Sequence, residues 1–494
     1  MNTLDLPHEL NGVKIHFVGI KGTGMAALVE ILYARGAVIT GSDVSEHFYT
    51  DEILEKLNIK ALPFSEKNIT KEIQYVIYSS AYNPLQNPDL MAAKKLNIPL
   101  MLYSEALGSF SKTAFSAGIC GVHGKTTTTG LAGTILKEFD LNSQVLAGSI
   151  ISSFGNSCTM TSKHISSDKK KFFVAETCEY QRHFMAFCPS VIVLTSVESD
   201  HQDYYPTYED IRNAFVDYIH KLPLGGTLIY CADDKGAVEA KEIAIKTRPD
   251  IQCVPYGIEA LGDYKITLGK VENGKQYFSL PACGEVFIKV PGLHLVKNAA
   301  AAVALSIVLL KEDGKNPCDY KEKILTGLEN FSGGKRRSEI TGEKKTALGQ
   351  SVIFIDDYGH HPTAIKTTLE GYRKFYSGRK IIVDFMSHTY TRTYALLEEF
   401  ASSFGSADKV IINKIYGSAR EDASASPVTG KILCQHTAKY HKDVTYCEEF
   451  DEAAEKGLEM LNEPSGSLYP DGYLFVTMGA GDNWKVATKI MEQL

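Results

Sequence analysis

Ala117-Gly-Ile-Cys-Gly121-Val-His-Gly124-Lys125-Thr126-Thr127-Thr128-Thr129 is the stretch from which the rest of the chain can be read. The apolar run Phe115–Cys120 reads as a buried strand, and the residues after Gly124 open a helix. A glycine-rich turn at that junction lets successive backbone N–H groups face one anion, and the helix N-terminus adds partial positive charge. Lys125 is then placed to reach terminal phosphates and Thr126 to ligate Mg²⁺. The glycines stand at 118, 121 and 124 around Ile119, which departs from the strict G-x-x-x-x-G-K-[ST] spacing. A plain glycine turn with a surface lysine is the competing reading, and it leaves the agreement of strand, loop, Lys-Thr pair and helix unexplained.

Outward from this loop the α/β pattern repeats. Val13–Val18, Ala37–Thr40 and Val76–Tyr78 read as strands and Met25–Tyr33 as a one-faced helix, followed by a boundary around Ile98–Pro99 and Ser109–Lys112. Phe172–Glu176, Val191–Thr195 and Thr227–Cys231 continue the central block, with a polar loop over 161–171. Two alternating runs flank Glu272-Asn273-Gly274-Lys275, a hairpin signal that predicts a small antiparallel insertion before the Ala-rich helix Lys297–Leu310. A Gly/basic linker, Phe331–Arg337, leads to a third block with strands at Ser351–Asp356, Lys380–Phe385, Lys409–Asn413 and Tyr473–Met478. The 494 residues therefore divide into three α/β domains in series.

Composition narrows the class. With 22% charged and 44% hydrophobic residues the chain is neither disordered nor fibrous. A net charge of −7 gives no general attraction to nucleic acid or to anionic membrane. No apolar run is expected to approach the ~20 residues of a membrane span. The N-terminus MNTLDLPHEL has no secretory pattern, and the ten cysteines form no C-x-x-C pair, as for reduced thiols in a cytoplasm.

Three further clusters carry chemistry. Gly19-Ile-Lys-Gly22-Thr-Gly24 with Asp43 reads either as a nucleotide-diphosphate turn or as tight strand-to-helix packing. Glu176 and the segment Val197-Glu198-Ser199-Asp200-His201 end strands at the carboxyl edge, where Thr126 and Glu176 suit a first Mg²⁺ and His201 a second; strand-end caps are the alternative. Asp356-Asp357-Tyr358-Gly359-His360-His361-Pro362-Thr363 and His388-Thr-Tyr-Thr-Arg392 follow strands of the third block. Adjacent histidines diverge, which disfavours a shared metal, while a helix N-terminus with Arg392 beside it suits a carboxylate.

These motifs, in this order, resemble the Mur ligases, the ATP-dependent amino-acid ligases of peptidoglycan synthesis. His16-Phe-Val-Gly-Ile-Lys-Gly-Thr-Gly-Met25, Gly41-Ser-Asp43, Ser79-Ser80-Ala81 and Asn83-Pro84 are similar to the family's UDP-binding start. Gly121–Thr127 is similar to its ATP loop, Glu176 with Glu179 to its E-A-D-E motif, and Asp356–Thr363 to the D-D-Y-G-H-H-P-T of its alanine-adding branch; Gly479-Ala-Gly-Asp482 is shared. The resemblance implies a Rossmann-like N-terminal domain (1–112), a central P-loop ATPase-type parallel sheet with a small antiparallel insertion (113–330) and a Rossmann-like C-terminal domain (331–494). It implies a ligase joining L-alanine to UDP-N-acetylmuramate through an acyl phosphate, with ATP as co-substrate and Mg²⁺ or Mn²⁺. The enzyme would be a cytoplasmic monomer or weak homodimer.

By the same resemblance Gly19, Gly22, Thr23, Gly24, Asp43, Ser79 and Ser80 bind the UDP substrate. Gly121, Val122, His123, Gly124, Lys125, Thr126, Thr127, His294, Asn298 and Arg337 bind ATP, and Thr126, Glu176 and His201 hold metal. Lys125, Glu176 and His201 carry the catalysis. Tyr358, His360, His388 and Arg392 form the amino-acid site. Three positions depart from the family pattern: Cys178 for an acid, Leu295 for Asn, and Thr389 for an Arg of the alanine-adding branch. The last removes a guanidinium and leaves alanine, glycine and serine open. A tripeptide-adding ligase, a nicotinamide-dependent oxidoreductase and an inactive nucleotide-binding protein are the rival readings.

Overall fold

The computed structural model describes residues 5–166, 169–417, 421 and 426–494; the first four residues and positions 167–168 of the expected polar loop lie outside the described residues. Strands β1 (Lys14–Val18), β2 (Val38–Ser42), β3 (Ala61–Leu62), β4 (Tyr75–Tyr78) and β5 (Leu100–Leu102) form a parallel sheet in the order β3-β2-β1-β4-β5. The strand order reverses at β1, and helix Thr23–Tyr33 starts there, which is where open α/β sheets hold ligands.

The segment from Ile98–Pro99 to Ser109–Lys112, where a boundary is expected, carries strand β5 and, ending just before the strand that starts at Phe115, helix Tyr103–Ser111. Its serines are buried because their hydroxyls are used. Ser111 donates to the Gly108 carbonyl and accepts the Cys188 N–H, and Ser109 accepts the Leu6 N–H.

The second sheet holds β6 (Phe115–Cys120), β7 (Ser143–Ile151), β8 (Ser157–Thr161), β9 (Phe172–Glu176), β10 (Val191–Leu194), β11 (Thr227–Cys231) and β12 (Gln252–Tyr256), in the order β12-β11-β10-β6-β9-β7-β8. It is parallel except for β8, which runs antiparallel to β7, so the expected parallel sheet carries an antiparallel edge. Helix Thr23–Tyr33 of the first sheet covers that edge: Ser157 donates to Glu30 at 2.7 Å and Arg35 to Gln144 at 2.6 Å. Both faces of this helix are thereby used, which is why Met25–Val29 and Ile31–Leu32 are all buried in a core continuous with the second sheet.

A three-stranded antiparallel sheet, β13 (Thr267–Glu272), β14 (Lys275–Leu280) and β15 (Gly284–Ile288), extends the expected hairpin by one strand. Its Asn273-Gly274 turn has φ 50° and 68°, as a tight hairpin turn requires. Helix Leu293–Glu312 follows and packs its alanines against helix Lys125–Lys137. With mean hydropathy 1.9 it is long and apolar enough to cross a membrane, which corrects the expectation that no run approaches that length. Of that stretch 78% is buried inside the protein, because it forms the core of the central domain.

The last sheet contains β16 (Glu339–Lys345), β17 (Ser351–Asp357), β18 (Arg379–Met386), β19 (Lys409–Ile412), β20 (Val444–Tyr446) and β21 (Gly472–Gly479), in the order β16-β17-β21-β18-β19-β20. Only β16 is antiparallel, at one edge. The architecture is three α/β units, and the carboxyl ends of β6, β9, β10 and β17 deliver their motifs to a common cleft.

Candidate functional site

Strand β6 is the middle of its sheet, with β9 and β10 beside it, so the phosphate loop emerges between Glu176 and the 195–201 segment. The loop is pinned to β10: Val122 N–H donates to the Ser196 carbonyl at 3.1 Å and His123 N–H to Ser196 Oγ at 2.9 Å. Gly121 (φ 132°) and Gly124 (φ 84°) cannot carry side chains, since a Cβ would lie 2.2 Å from Thr195 Oγ1 and 2.7 Å from Asn298 Oδ1. Thr126 and Thr127, both largely buried, start the helix at the floor of the cleft.

Lys125 Nζ donates to the Gly121 carbonyl and to Glu179 at 2.9 and 3.1 Å. Glu179 is 2% exposed, and its other flank meets His201 Nε2 at 3.4 Å. Burial works to raise its pKa, but Lys125 and His201 outweigh that and hold the carboxyl below its usual range. Glu179 was legible in the sequence as part of a motif, without a role; the fold makes it the counter-ion of the phosphate lysine. Glu176 lines the same cleft and accepts the Gly148 N–H at 2.8 Å. His201 stands at φ 54°, a conformation a non-glycine residue rarely takes, and this aims its ring at Glu179.

On the facing wall, Arg337 is flanked by Arg336 and Ser338 at φ 56° and 53°. Arg336 is tied down by Asp356 and the Gly479 carbonyl, whereas the Arg337 guanidinium lies 5.0 Å from the Tyr358 ring centroid and lines the cleft. His294 and Asn298, at the start of helix Leu293–Glu312, line it too. Burial, with His123, Lys297 and Arg337 facing it, pushes the His294 imidazole down to about 4. Leu295 is buried beside them, and Cys178 is exposed at the rim.

Tyr358 and His360 pack edge-on at 5.0 Å, His360 lies 6.5 Å from His388, and His388 stacks on Tyr416 at 5.5 Å. Tyr416 carried no signal in the sequence. Arg392 differs from its expected state as a free carboxylate anchor. Its Nε and Nη2 both donate to Asp200 Oδ1, at 3.0 and 2.8 Å, and Nη1 donates to the His388 carbonyl. The adjacent histidines do diverge: His360 faces this group, while His361 meets Glu198 and His123. Glu198 accepts from Thr363 at 2.8 Å, a second link between central and C-terminal domains.

In the N-terminal domain Gly19, Gly22, Thr23 and Gly24 lie between β1 and its helix, with Ser79 and exposed Ser80 after β4. Asp43 is buried and accepts from Lys21 N–H, Val44 N–H and Tyr82 O–H. Tyr82 covers Gly19, and Tyr103 covers Gly24. Tyr103 also faces Glu176, so this turn and the phosphate cleft are neighbours.

Together the central and C-terminal residues enclose a cleft of about 380 Å³ lined by Lys125, Thr126, Glu176, Glu179, Asp200, His201, Arg337 and His360. A hydroxyl and carboxylates beside a phosphate loop are the hard oxygen donors that Mg²⁺ or Mn²⁺ takes.

Three family descriptions match the chain: "Mur ligase family, catalytic domain" over residues 14–114, "Mur ligase middle domain" over 119–306, and "Mur ligase, glutamate ligase domain" over 336–481. The chain is 47% identical over 484 residues to a UDP-N-acetylmuramate–L-alanine ligase of Treponema pallidum, covering 97% of this chain and 96% of that one. It is 36% identical over 474 residues to the protein of the same name in Borreliella burgdorferi, covering 95% and 97%. Its fold is similar to a UDP-N-acetylmuramate–alanine ligase of Thermotoga maritima (TM-score 0.71, 24% identity, 97% and 98% covered). A murein peptide ligase of Psychrobacter arcticus is also similar (TM-score 0.64, 19% identity, 97% and 98% covered).

Proposed function

The chain belongs to the Mur ligase family, and from that premise we propose that it joins L-alanine to the carboxylate of UDP-N-acetylmuramate at the expense of ATP. The observation that carries this reading is the meeting of Lys125, Glu179 and His201 from the phosphate side with Asp200, His360 and Arg337 in one cleft. A muramyl carboxylate oxygen attacks the γ-phosphorus and ADP leaves, giving an acyl phosphate. The alanine amine then attacks the acyl carbon, inorganic phosphate leaves, and the amine loses a proton. The protein's part is positioning and charge neutralisation.

Lys125, the backbone of Gly121–Gly124, Thr127 and Arg337 hold the ATP phosphates, and His294 and Asn298 stand at the adenine. Thr126, Glu176 and His201 would hold Mg²⁺ or Mn²⁺, which neutralises the phosphates when bound. Gly19, Gly22, Thr23, Gly24, Asp43, Ser79 and Ser80 take the UDP portion, with Tyr82 leaving Asp43 to do so. Tyr358, His360, His388 and Arg392 take the amino acid. Residues 1–112, 113–330 and 331–494 are the corresponding domains of a cytoplasmic monomer or weak homodimer.

Phosphate release with ATP, UDP-N-acetylmuramate and L-alanine, glycine, L-serine or tripeptide tests the reading. Release that depends on the sugar nucleotide and is fastest with L-alanine is expected. Turnover with tripeptide alone, or with no amino acid, would overturn it.

A further inference from the structure

Asp200 ends the segment after β10, and its two carboxylate oxygens are used very unequally. Oδ1 receives three N–H groups: His201 N at 2.7 Å, Arg392 Nη2 at 2.8 Å and Arg392 Nε at 3.0 Å. Oδ2 accepts no hydrogen bond among the described residues, and His201 Nε2 lies 3.8 Å from it. The side chain is 4% exposed, yet the residue lines the cleft alongside His201 and His360. Oδ2 is thus the oxygen of this carboxylate left free to take an N–H group from a ligand in the cleft. The Arg392 partner is itself 8% exposed, so the pair is a preformed dipole that neither side chain can leave cheaply.

We propose that Asp200 Oδ2 receives the α-ammonium group of the incoming amino acid, while Arg392, which holds Asp200 through Oδ1, faces its carboxylate. This rests on the proposed ligation and adds the half of amino-acid recognition that the resemblance leaves unassigned. A zwitterion laid antiparallel across the Asp200–Arg392 pair meets opposite charge at both ends. It also directs the nitrogen toward the cleft wall that carries Lys125 and Glu179. Asp200 binds and orients the ammonium group, which gives up one proton to solvent before the attack so that the nitrogen has a lone pair; the second proton leaves the nitrogen after the amide bond forms. The ligand class is a free primary α-amino acid, and an N-acylated one is excluded because it lacks the charge.

The test measures, in wild type and Asp200→Asn, KM for L-alanine, ATP and Mg²⁺, with inhibition by L-alaninamide (ammonium only) and propionate (carboxylate only). Asp200→Asn is expected to raise KM for L-alanine and Ki for L-alaninamide about ten- to a hundredfold, leaving propionate, ATP and Mg²⁺ within about threefold. An unchanged L-alaninamide Ki overturns the proposal, and so does a raised Mg²⁺ requirement, which would make Asp200 a metal ligand. If Asp200→Asn melts early because Arg392 is stranded, Arg392→Gln is compared with Asp200→Asn/Arg392→Gln. The double variant should bind L-alaninamide about tenfold more weakly than the single one, and equal binding overturns the proposal. Wild-type turnover without dependence on L-alanine would overturn the proposed function and this inference with it. Dependence with an unchanged KM in Asp200→Asn would overturn the inference alone.

Discussion

Lys125 stands in a glycine-rich loop, where a lysine side chain is ordinarily solvated. The structure has it 15% exposed and paired with a carboxylate that is 2% exposed. Removing one partner of such a pair strands the other, which costs about 3–5 kcal/mol, whereas removing both is far milder. Lys125→Met is therefore expected to abolish turnover and also to lower the melting temperature. Lys125→Met/Glu179→Gln should recover most of the melting temperature and none of the activity. Thermal melting beside phosphate release checks both; turnover retained in either variant would remove Lys125 from the phosphate site.

Helix Pro362–Phe375 is the element that docks the amino-acid domain on the nucleotide domain. Its start is well specified: Pro362 at the first position and the His361 side chain accepting the Thr363 N–H. Its middle is specified by contact. A Cβ on Gly371 would stand 2.6 Å from the Gly292 Cα, which is backbone, and Gly292 itself has φ 122° just before His294. Gly371→Ala should wedge the two domains apart, lowering kcat/KM about tenfold or more and stability by about 1–3 kcal/mol with secondary structure intact. Circular dichroism with steady-state kinetics decides this. Wild-type kinetics would show that the close approach at Gly371 is not needed for closure.

At the scale of the molecule, several imidazoles are kept neutral between domains. Burial pushes His294 and His388 from 6.5 down to about 4, with nearby cations adding to it. In the unfolded chain both bind a proton below about 6.5; in the folded chain they resist until about 4. Their contribution to stability is therefore whole above about 6.5 and is lost as pH falls from there toward 4, by roughly 1–3 kcal/mol each. The imidazoles should pull the melting temperature down across this window, against the Asp384 carboxyl, which burial pushes up to about 7 and which favours the folded state as pH falls; His388→Asn should remove its part of the imidazole slope. An unchanged slope in that variant would mean the imidazole is not held neutral.

What the sequence determined by itself is what depends on local spacing. The strand ending at Cys120, the glycines at 121 and 124, Lys125 at the helix start and the Asn273-Gly274 turn all follow from steric and periodic rules acting over a few residues. The order of the three units follows likewise. Serines at 109 and 111 read as part of a polar boundary segment yet end a buried helix, because polarity marks a loop only when the hydroxyls find no buried partner, and here they do. The pairings that organise the cleft were settled only by tertiary structure. Lys125 meets Glu179 across 54 residues, Ser157 meets Glu30 across 127, and Arg392 meets Asp200 across 192. Periodicity reports which face of an element is buried, but not which charge lies opposite. An ion pair takes its strength from separation and loss of solvent, and both are set by how the sheets and domains pack.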